Sequence, residues 1–346
     1  MAWCLLIPAE NAEYLPHTGA RLDSLQALKR LSGHGDDRDL TEKEASALMA
    51  AMLDGGVEEL ELGAVLALLE RKPLTVSELF GYGGAISQRC NRLQTPGGRA
   101  RPVVFSCYQG IRSRPHLLPL VALTLQRLGV PVLLHGALDG AGGVAAAHVF
   151  RELGVFPSTT LARAQARLED QKLAFVPTAV LSPGLAHLLP LRGRLGFGGF
   201  VQAIARLLAP FPGGLQVVAT NALMSRPLLR EYLSASGARA LLLDGIEDEP
   251  LADPLRRPQL EYVAGEDCRV LFDAESAAFR HAGALPEAHD SPVVAAWTRR
   301  VLSGEFPLPL PLVNQIACCL YGAGYADDIN QAKAIVAIET GSLAAA

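Results

Sequence analysis

The sequence predicts an α/β protein in which a small all-helical domain precedes a larger domain with a mostly parallel sheet flanked by helices. Residues 41–90 show helical patterns, whereas from Pro102 onward short apolar runs alternate with loops and amphipathic segments. Such β-loop-α alternation is typical of a parallel sheet covered by helices. We place the helical domain at residues 1–95, with a contribution from about 178–200, and the α/β domain at 96–346.

The helical part starts with a clear N-terminal signal. Thr41 and Glu44 have the spacing of a capping box, and an apolar pattern of helical period follows through Leu53. The same reasoning predicts two further helices and then a Gly- and Pro-rich linker, at 60–70, 75–90 and 91–101 respectively.

Short apolar runs of strand type recur in the rest of the chain. The first, 102–105, is followed by a loop and a helix, and Gly129 ends that helix before the next run at 130–134. Later strands are expected at 174–176, 215–219 and 240–243, hairpin-like irregular structure at 253–267, and helices at 293–302, 313–321 and 328–340.

Composition excludes several classes of protein. The net charge is -4, whereas a protein that binds nucleic acid over its whole surface is usually basic, so a polyanion site here must be a local patch. The six cysteines lack CxxC spacing, which favours buried, reduced thiols. No apolar run reaches the roughly 18 residues needed to span a bilayer. We therefore expect a cytoplasmic protein with no membrane partner.

Ligands of parallel sheets bind beyond the carboxyl ends of the strands. Four loops of this sequence qualify as ligand sites, at 106–116, 135–143, 191–199 and 244–249. The first has a single glycine, Gly110, and bulky neighbours, whereas a loop that wraps a pyrophosphate needs glycines for close backbone approach. It carries Arg112 and Arg114 instead, whose planar guanidinium groups bind phosphate at side-chain distance. Two interpretations of this loop stay open. Its arginines could bind the phosphates of a polymer, or they could form ion pairs with nearby acidic side chains in a loop that has no ligand.

Further arginines extend this candidate phosphate surface. Arg192 and Arg194 lie in the third loop, and Arg206 follows on the next helix. Four more cluster around the linker, Arg89, Arg92, Arg99 and Arg101. If the linker packs near the loops, these side chains form one stripe; otherwise they are scattered surface residues.

The two remaining loops suggest other chemistry. The second loop is a candidate anion loop because of its glycines and one histidine, namely His135, Gly136, Gly140, Gly142 and Gly143. Glycine-rich turns also occur without a ligand, and His135 also fits a structural role. In the fourth loop, Asp248 and Glu249 could ligate Mg²⁺ beside a phosphate, although acidic turns are common.

The chain resembles the anthranilate phosphoribosyltransferase family from about Leu25 to its C-terminus. The resemblance is carried by the segments 40–45, 78–81, 129–130, 135–136, 153–155, 191–192, 195–196 and 314–321. It implies the two-domain fold predicted above. The family's GTGGDG loop falls on 106–111, where almost none of it survives, and of its KHGNR motif only His135-Gly136 remains. Its acidic Mg²⁺-binding pair matches Asp248 and Glu249.

This combination is similar to a divergent, YbiB-like branch of the family, whose members are regarded as homodimers that bind nucleic acid with little sequence specificity. The resemblance implies no catalytic residues, no cofactor, and DNA or RNA as partner. Two alternatives stay open. One is a phosphoribosyltransferase, acting on anthranilate or an altered acceptor, that uses phosphoribosyl pyrophosphate and Mg²⁺. The other is a small-anion-binding protein.

Overall fold

The computed structural model describes residues 24–33, 38–140, 142–275 and 285–340. The strands in these residues are β1 (Val103–Cys107), β2 (Val132–Gly136), β3 (Leu173–Pro177), β4 (Leu215–Ala219), β5 (Arg239–Leu243), β6 (Leu260–Ala264) and β7 (Asp267–Phe272). The helices before β4 are α1 (Ser24–Leu31), α2 (Glu42–Leu53), α3 (Glu59–Glu70), α4 (Val76–Gln88), α5 (Leu118–Arg127), α6 (Ala146–Glu152), α7 (Leu161–Gln171), α8 (Thr178–Leu181), α9 (Pro183–Leu188), α10 (Arg192–Leu195) and α11 (Gly199–Ala205). The later helices are α12 (Arg226–Ala235), α13 (Ser291–Leu302), α14 (Leu310–Gly322) and α15 (Ile329–Thr340).

The strands form one sheet in the order β3-β2-β1-β4-β5-β6-β7. The first five strands of this order are parallel, and β6 and β7 add an antiparallel hairpin at one end. Because the chain builds outward from β1 in one direction and then returns to its other side with β4, β1 and β4 border the switch point of the sheet. The predicted fold class is confirmed.

The individual elements agree with the prediction within a few residues at most ends. All five predicted strands are present; β6 lies inside the segment predicted as hairpin-like, and β7 extends beyond it to Phe272. Helices α7 and α12 lie outside the predicted elements, and the short helices α8 to α11 are too brief to show a sustained helical period. No helix among the described residues is long and apolar enough to cross a membrane.

The helical part rests on polar contacts as well as on its apolar core. Both bonds of the predicted capping box form between Thr41 and Glu44. A second capping box, Thr75 with Glu78, starts α4. Glu78 is buried and also lies 2.7 Å from the ammonium group of the buried Lys72. This pair fixes the start of α4 inside the helical layer.

Two apolar layers cover the two faces of the sheet. One contains side chains of α5, α6, α13 and α14 against Phe105, and the other joins the N-terminal helices to Val104. Helices α9 and α11 belong to the second layer: Leu185 and Ile204 pack in the same core as Leu48. Residues 178–205 thus complete the helical layer, while the domain limits given above stay predictions.

Cysteine burial differs from the expectation at two positions, Cys268 and the half-buried Cys90. The cysteines of the described residues are free thiols. Cys107, Cys318 and Cys319 are buried, but Cys268 is exposed on β7, the outermost strand of the hairpin. Cys4 lies outside the described residues.

Candidate functional site

The loop that follows β1 lies at the switch point, and its backbone N–H groups already have an acceptor. Oε1 of Glu249 lies 2.5 Å from the backbone nitrogen of Gln109 and 3.3 Å from that of Gly110. The Glu249 side chain is buried. A carboxylate from the loop after β5 therefore occupies the donors that a bound anion would use here.

A second carboxylate of the same turn caps the rest of the loop. Oε1 of Glu247 accepts from the backbone nitrogens of Ser113, at 2.7 Å, and Arg112, at 3.0 Å. Burial raises the pKa of Glu247, but these hydrogen bonds outweigh it, so its pKa lies below the usual value. The side chain is therefore ionised at neutral pH and competes with any external anion for the two amides.

The acidic turn has an uncommon backbone that aims both glutamates at the β1 loop. Glu247 and Asp248 have φ angles of 48° and 65°, in the left-handed region that costs a non-glycine residue about 1–2 kcal/mol. Ile246 and Glu249 pair across the turn. A Cβ on Gly245 would lie 1.9 Å from the Glu249 carbonyl oxygen, so only glycine fits there.

Arg206 lies inside this site, which corrects the prediction that it contacts a polymer phosphate. The residue is 3% exposed, and its Nη2 lies 3.8 Å from Oδ2 of Asp248. Its Nε and Nη2 have no hydrogen-bond partner among the described residues. Burial lowers the pKa of the guanidinium, whereas Asp248 and Glu249 act against that shift. Arg206 is therefore a buried counter-ion of the acidic turn.

His116 is a further buried group beside Glu249. Its Nε2 lies 3.7 Å from Oε2 of Glu249, and both side chains are inaccessible to solvent. Burial lowers the pKa of His116 to about 3, so the ring is neutral at pH 7. Burial also raises the pKa of Glu249, against the hydrogen bond from Gln109 and the charge of Arg206.

Asp248 and Glu249 do not form the predicted magnesium site. Mg²⁺ requires near-octahedral oxygen coordination, usually by one or two carboxylates with water and phosphate. Glu249 has one oxygen on two backbone amides and the other enclosed beside His116. The site therefore does not fit Mg²⁺ beside a pyrophosphate.

The predicted anion loop after β2 is packed against the β1 loop, which corrects its interpretation as an open cradle. A Cβ on Gly140 would lie 2.1 Å from the Gly143 carbonyl oxygen, and one on Gly136 would lie 1.7 Å from that of Cys107. Gly143 N donates to Gly140 O at 2.7 Å. Of the four glycines predicted here, Gly142 alone has open space at its Cβ position. The other three permit close backbone contact.

His135 has a structural partner. Its Nδ1 lies 3.0 Å from the hydroxyl of Tyr108, and Thr178 Oγ1 lies 3.4 Å from the same hydroxyl. Burial lowers the pKa of His135 to about 3, so the ring is neutral at pH 7. It therefore ties β2 to the β1 loop and offers no positive charge to an anion.

Of the arginines predicted in the first and third loops, Arg192 contacts the loop after β1, whereas Arg194 pairs with Glu59 at the start of α3. Arg192 Nη1 donates to the carbonyl oxygen of Tyr108 at 3.3 Å, which joins α10 to the β1 loop. The side chains of Arg112 and Arg194 are 63% and 67% exposed. Each of the four has an acidic partner: Glu247 for Arg112, Asp253 for Arg114, Asp139 for Arg192 and Glu59 for Arg194.

The linker arginines do not all join this surface. Arg99 and Arg101 precede β1, so they lie at the amino ends of the strands, on the opposite edge of the sheet, where Arg101 N donates to Ala323 O. The prediction that Arg99 and Arg101 form one continuous stripe with the loop arginines is thus wrong. Arg89 makes a two-point ion pair with Asp54, at 2.7 and 2.6 Å, while Arg92 is exposed near Ser87.

A cavity of about 220 Å³ lies beside Arg192, and sequence reasoning missed it. Its walls are mostly apolar and come from the loop after β2, the end of β3 and the segment that follows α9, including Leu138, Pro177 and Leu189. Glu247 was also missed, although it adjoins the predicted acidic pair. The left-handed backbone of Glu247 and Asp248 decides which carboxylates of this turn face inward. Nothing in the sequence signals that backbone conformation.

Comparisons with known proteins agree with this architecture. Residues 25–89 match the helical bundle domain of the glycosyl transferase family. The chain is 34% identical over 320 residues to a protein of Escherichia coli strain K12 called uncharacterized protein YbiB, and the match covers 91% of this chain and 99% of that one.

Solved structures share the fold over nearly the whole chain. The anthranilate phosphoribosyltransferase of Thermus thermophilus gives a TM-score of 0.71 at 21% identity and covers 91% of this chain and 94% of its own. The Saccharomyces cerevisiae enzyme in complex with PRPP and Mg gives a TM-score of 0.70 at 11% identity, with 93% and 94% covered. At these identities the likeness shows a common fold.

Proposed function

We propose a function for this chain from one premise: it belongs to the anthranilate phosphoribosyltransferase family, in the branch that contains YbiB of Escherichia coli. The proposed function is binding of DNA or RNA with little sequence specificity, without phosphoribosyl transfer. The family fold then serves as a scaffold for side-chain contacts to a phosphate backbone.

One observation carries this proposal: at the strand ends the backbone amides are capped by glutamates, while guanidinium groups from neighbouring loops point outward. Arg112 and Arg194 are more than half exposed, and their carboxylate partners are surface groups or edge groups of the acidic turn. Exposed ion pairs contribute only about 0–1 kcal/mol, so a phosphate can replace the carboxylate at little cost. Arginine forks suit such exchange.

A second candidate function is phosphoribosyl transfer to a small acceptor. The cavity beside Arg192 favours it, because an apolar pocket with one guanidinium group fits an aromatic carboxylate. Structural relatives are named anthranilate phosphoribosyltransferases, and one holds PRPP and Mg. This function requires a pyrophosphate in the β1 loop, where Glu249 and Glu247 already take the amides. The geometry therefore favours nucleic-acid binding.

A salt titration tests the proposed function. Fluorescence anisotropy with a labelled single-stranded oligonucleotide should show binding whose log affinity falls linearly with log salt, by about 0.7 per phosphate contact. The variant Arg112→Gln/Arg194→Gln should reduce that slope by about 1.4. The matched variant Arg299→Gln/Arg300→Gln removes the same charge from α13 and should leave the slope unchanged. Binding that does not weaken with salt contradicts the proposal.

The same samples separate the two functions. If the chain is a transferase, phosphoribosyl pyrophosphate with Mg²⁺ at millimolar concentration should raise Tm, because a ligand of the folded state stabilises it. We expect no rise. A rise of several degrees, with no affinity for oligonucleotide, would reverse the order of the two candidates.

We also propose that the chain is a homodimer assembled through its helical layer. Leu60 on α3 is 84% exposed, and α3 belongs to the N-terminal helical layer. Dimerisation would place two sets of strand-end arginines on one assembly and so increase affinity for a long polymer. Analytical ultracentrifugation of wild type and Leu60→Glu tests this, since the variant should sediment as a monomer.

A further inference from the structure

We infer that the outer edge of β7 is a docking site for a second copy of this chain, which adds its own β7 antiparallel to the first and so continues the sheet. This contact is separate from the helical layer, through which we propose the dimer, and from the arginines proposed to bind nucleic acid. The edge has three properties that suit such pairing: it is uncovered, it exposes apolar groups, and its charges complement themselves in one register.

The two edges of the sheet differ in their cover. At the β3 edge, Ser158 N donates to the carbonyl oxygen of Phe175 at 2.7 Å, so a loop of the chain caps that strand. No described strand pairs with the outer side of β7. Natural proteins often protect such an edge with proline or lysine, and β7 contains neither. An uncovered edge of this kind is a template for pairing with another strand.

One face of β7 presents exposed apolar groups. Cys268 and Val270 are both exposed, and because they are two residues apart they lie on the same face of the strand. The irregularity in the pairing of β6 with β7 falls beyond Val270, so the strand is regular up to that residue. In an antiparallel pair centred on Cys268, Val270 lies diagonal to Cys268 of the second copy, on the same face. Pairing would therefore reduce the exposure of both side chains.

The charges of β7 select one register. Asp267 and Arg269 lie on the other face of the strand, where they form an ion pair. A two-fold axis at Cys268 places Asp267 opposite Arg269 of the second copy, and symmetry repeats this pair. An axis at Arg269 would place like charges opposite each other, and an axis at Val270 would place Arg269 opposite Leu271. Opposite charges stabilise a strand pair and like charges destabilise it, so the axis at Cys268 is favoured.

The contact is small, and it is compatible with the other proposals. One pair of six-residue strands buries much less than the roughly 1,200–2,000 Å² of a stable interface, so we expect dissociation at micromolar concentration. The sedimentation test of the helical layer, run at that concentration, is therefore unaffected. Antiparallel pairing also points the carboxyl ends of the parallel strands of the two copies in opposite directions, which leaves the loops there accessible.

Thiol crosslinking traps such a weak complex. The parent for this test is the variant Cys4→Ser/Cys90→Ser, because the remaining cysteines other than Cys268 are buried. At submillimolar concentration a short bismaleimide should join two copies at Cys268, since the register brings the two Cα atoms to about 4.5–5.5 Å. The further change Cys268→Ser should abolish the crosslinked product, which is measured by denaturing gel electrophoresis.

Charge reversal tests the register. Asp267→Arg and Arg269→Asp each place like charges opposite each other, so each should slow crosslinking roughly tenfold. The double variant Asp267→Arg/Arg269→Asp restores the opposite charges and should recover the parent rate. Arg269→Asp/Glu305→Arg is the matched control. It has the same net charge as the double variant, but Glu305 lies just after α13, so crosslinking should stay slow.

Slower crosslinking in both single variants, with recovery in the double variant alone, supports the docking site, and any other pattern overturns it. Equal rates in the parent and the single variants would show that the charges do not meet across a strand pair. A parent that forms no more product than Cys268→Ser would show that the edges do not meet at all. Because crosslinking needs no nucleic acid, oligonucleotide binding can succeed or fail independently of these results.

Discussion

Nη2 of Arg192 lies 3.1 Å from Oδ1 of Asp139, and this ion pair links α10 to the loop after β2 at the edge of the cavity. The arginine is mostly buried, with 19% of its side chain exposed, whereas the aspartate is 79% exposed. An exposed acid thus restrains a guanidinium group that is otherwise anchored on the Tyr108 carbonyl oxygen. The pair offsets the positive charge of Arg192, as separate acidic partners do for Arg112, Arg114 and Arg194.

Replacement of Asp139 by Asn should therefore strengthen nucleic-acid binding. The change removes a negative charge that competes with phosphate for Arg192, and an ion pair with one solvent-exposed partner is worth about 1 kcal/mol. We expect a gain in affinity of about two- to fivefold at low salt, measured by anisotropy. Glu305→Gln, which frees Arg300 on α13, is the matched control and should have no effect. A weaker complex with Asp139→Asn would show that Asp139 positions Arg192 for binding.

The buried histidines should make stability depend on pH. The pKa of His135 is about 3 in the folded protein, against roughly 6.5 in an unfolded chain, so the unfolded state binds more protons below pH 6.5. The stability due to a neutral His135 is complete above that pH and is lost as pH falls toward 3. Between pH 7.5 and pH 5 the loss is about 2 kcal/mol for this residue.

The variant His135→Asn isolates this contribution. It retains a polar atom near the Tyr108 hydroxyl but does not titrate, so it should be less stable than wild type at pH 7.5. The gap should narrow by about 2 kcal/mol at pH 5. His135 is preferable to His116 for this test because Glu249, whose pKa burial raises, lies beside His116 and titrates in the opposite sense. Urea unfolding at several pH values measures the gap; a constant gap would contradict the assignment.

Close packing of the two glycine-containing loops should make Gly140 intolerant of a side chain. A Cβ there would meet backbone atoms of Gly143 and Ala145 at 2.1–2.8 Å, and backbone cannot move aside cheaply. We expect Gly140→Ala to lose about 1–3 kcal/mol of stability. Gly84→Ala, in the exposed middle of α4 with no atom within 4 Å, should instead gain about 0.5–1 kcal/mol. Thermal unfolding of both variants measures the contrast.

The sequence predicts the fold well because fold depends on periodic patterns. The strand at Val103–Cys107 is buried along its whole length, and such runs of Val and Phe are visible without a structure. The capping box at Thr41 is likewise a local signal, which the structure reproduces. Helices α8 to α11 were not predicted because they are short and depend on tertiary contacts. Gly184 in α9 is an example: it packs so closely on α2 that a Cβ there would lie 2.4 Å from the Leu53 carbonyl oxygen.

The candidate site was harder to predict because it depends on which charges meet. Arg112 and Arg206 are the same residue type in candidate segments, yet one is exposed and the other buried. Burial of Arg206 follows from packing of the end of α11 under the acidic turn, a contact between residues about 40 positions apart. The inward orientation of the Glu249 side chain similarly depends on the backbone amide of Gln109, 140 residues earlier in the chain.

The discontinuous helical layer affects how the protein emerges during synthesis. The N-terminal helices share their core with Leu185 and Ile204, and these residues are made about 100 positions after α4 ends. At bacterial elongation rates of about 5–20 residues per second, that interval lasts roughly 5–20 s. During this time α2 and α4 can pack against each other, but the part of their core that Leu185 and Ile204 complete is missing. We therefore expect this part of the apolar core to form only after strand β3 and the segment that follows it have left the ribosome.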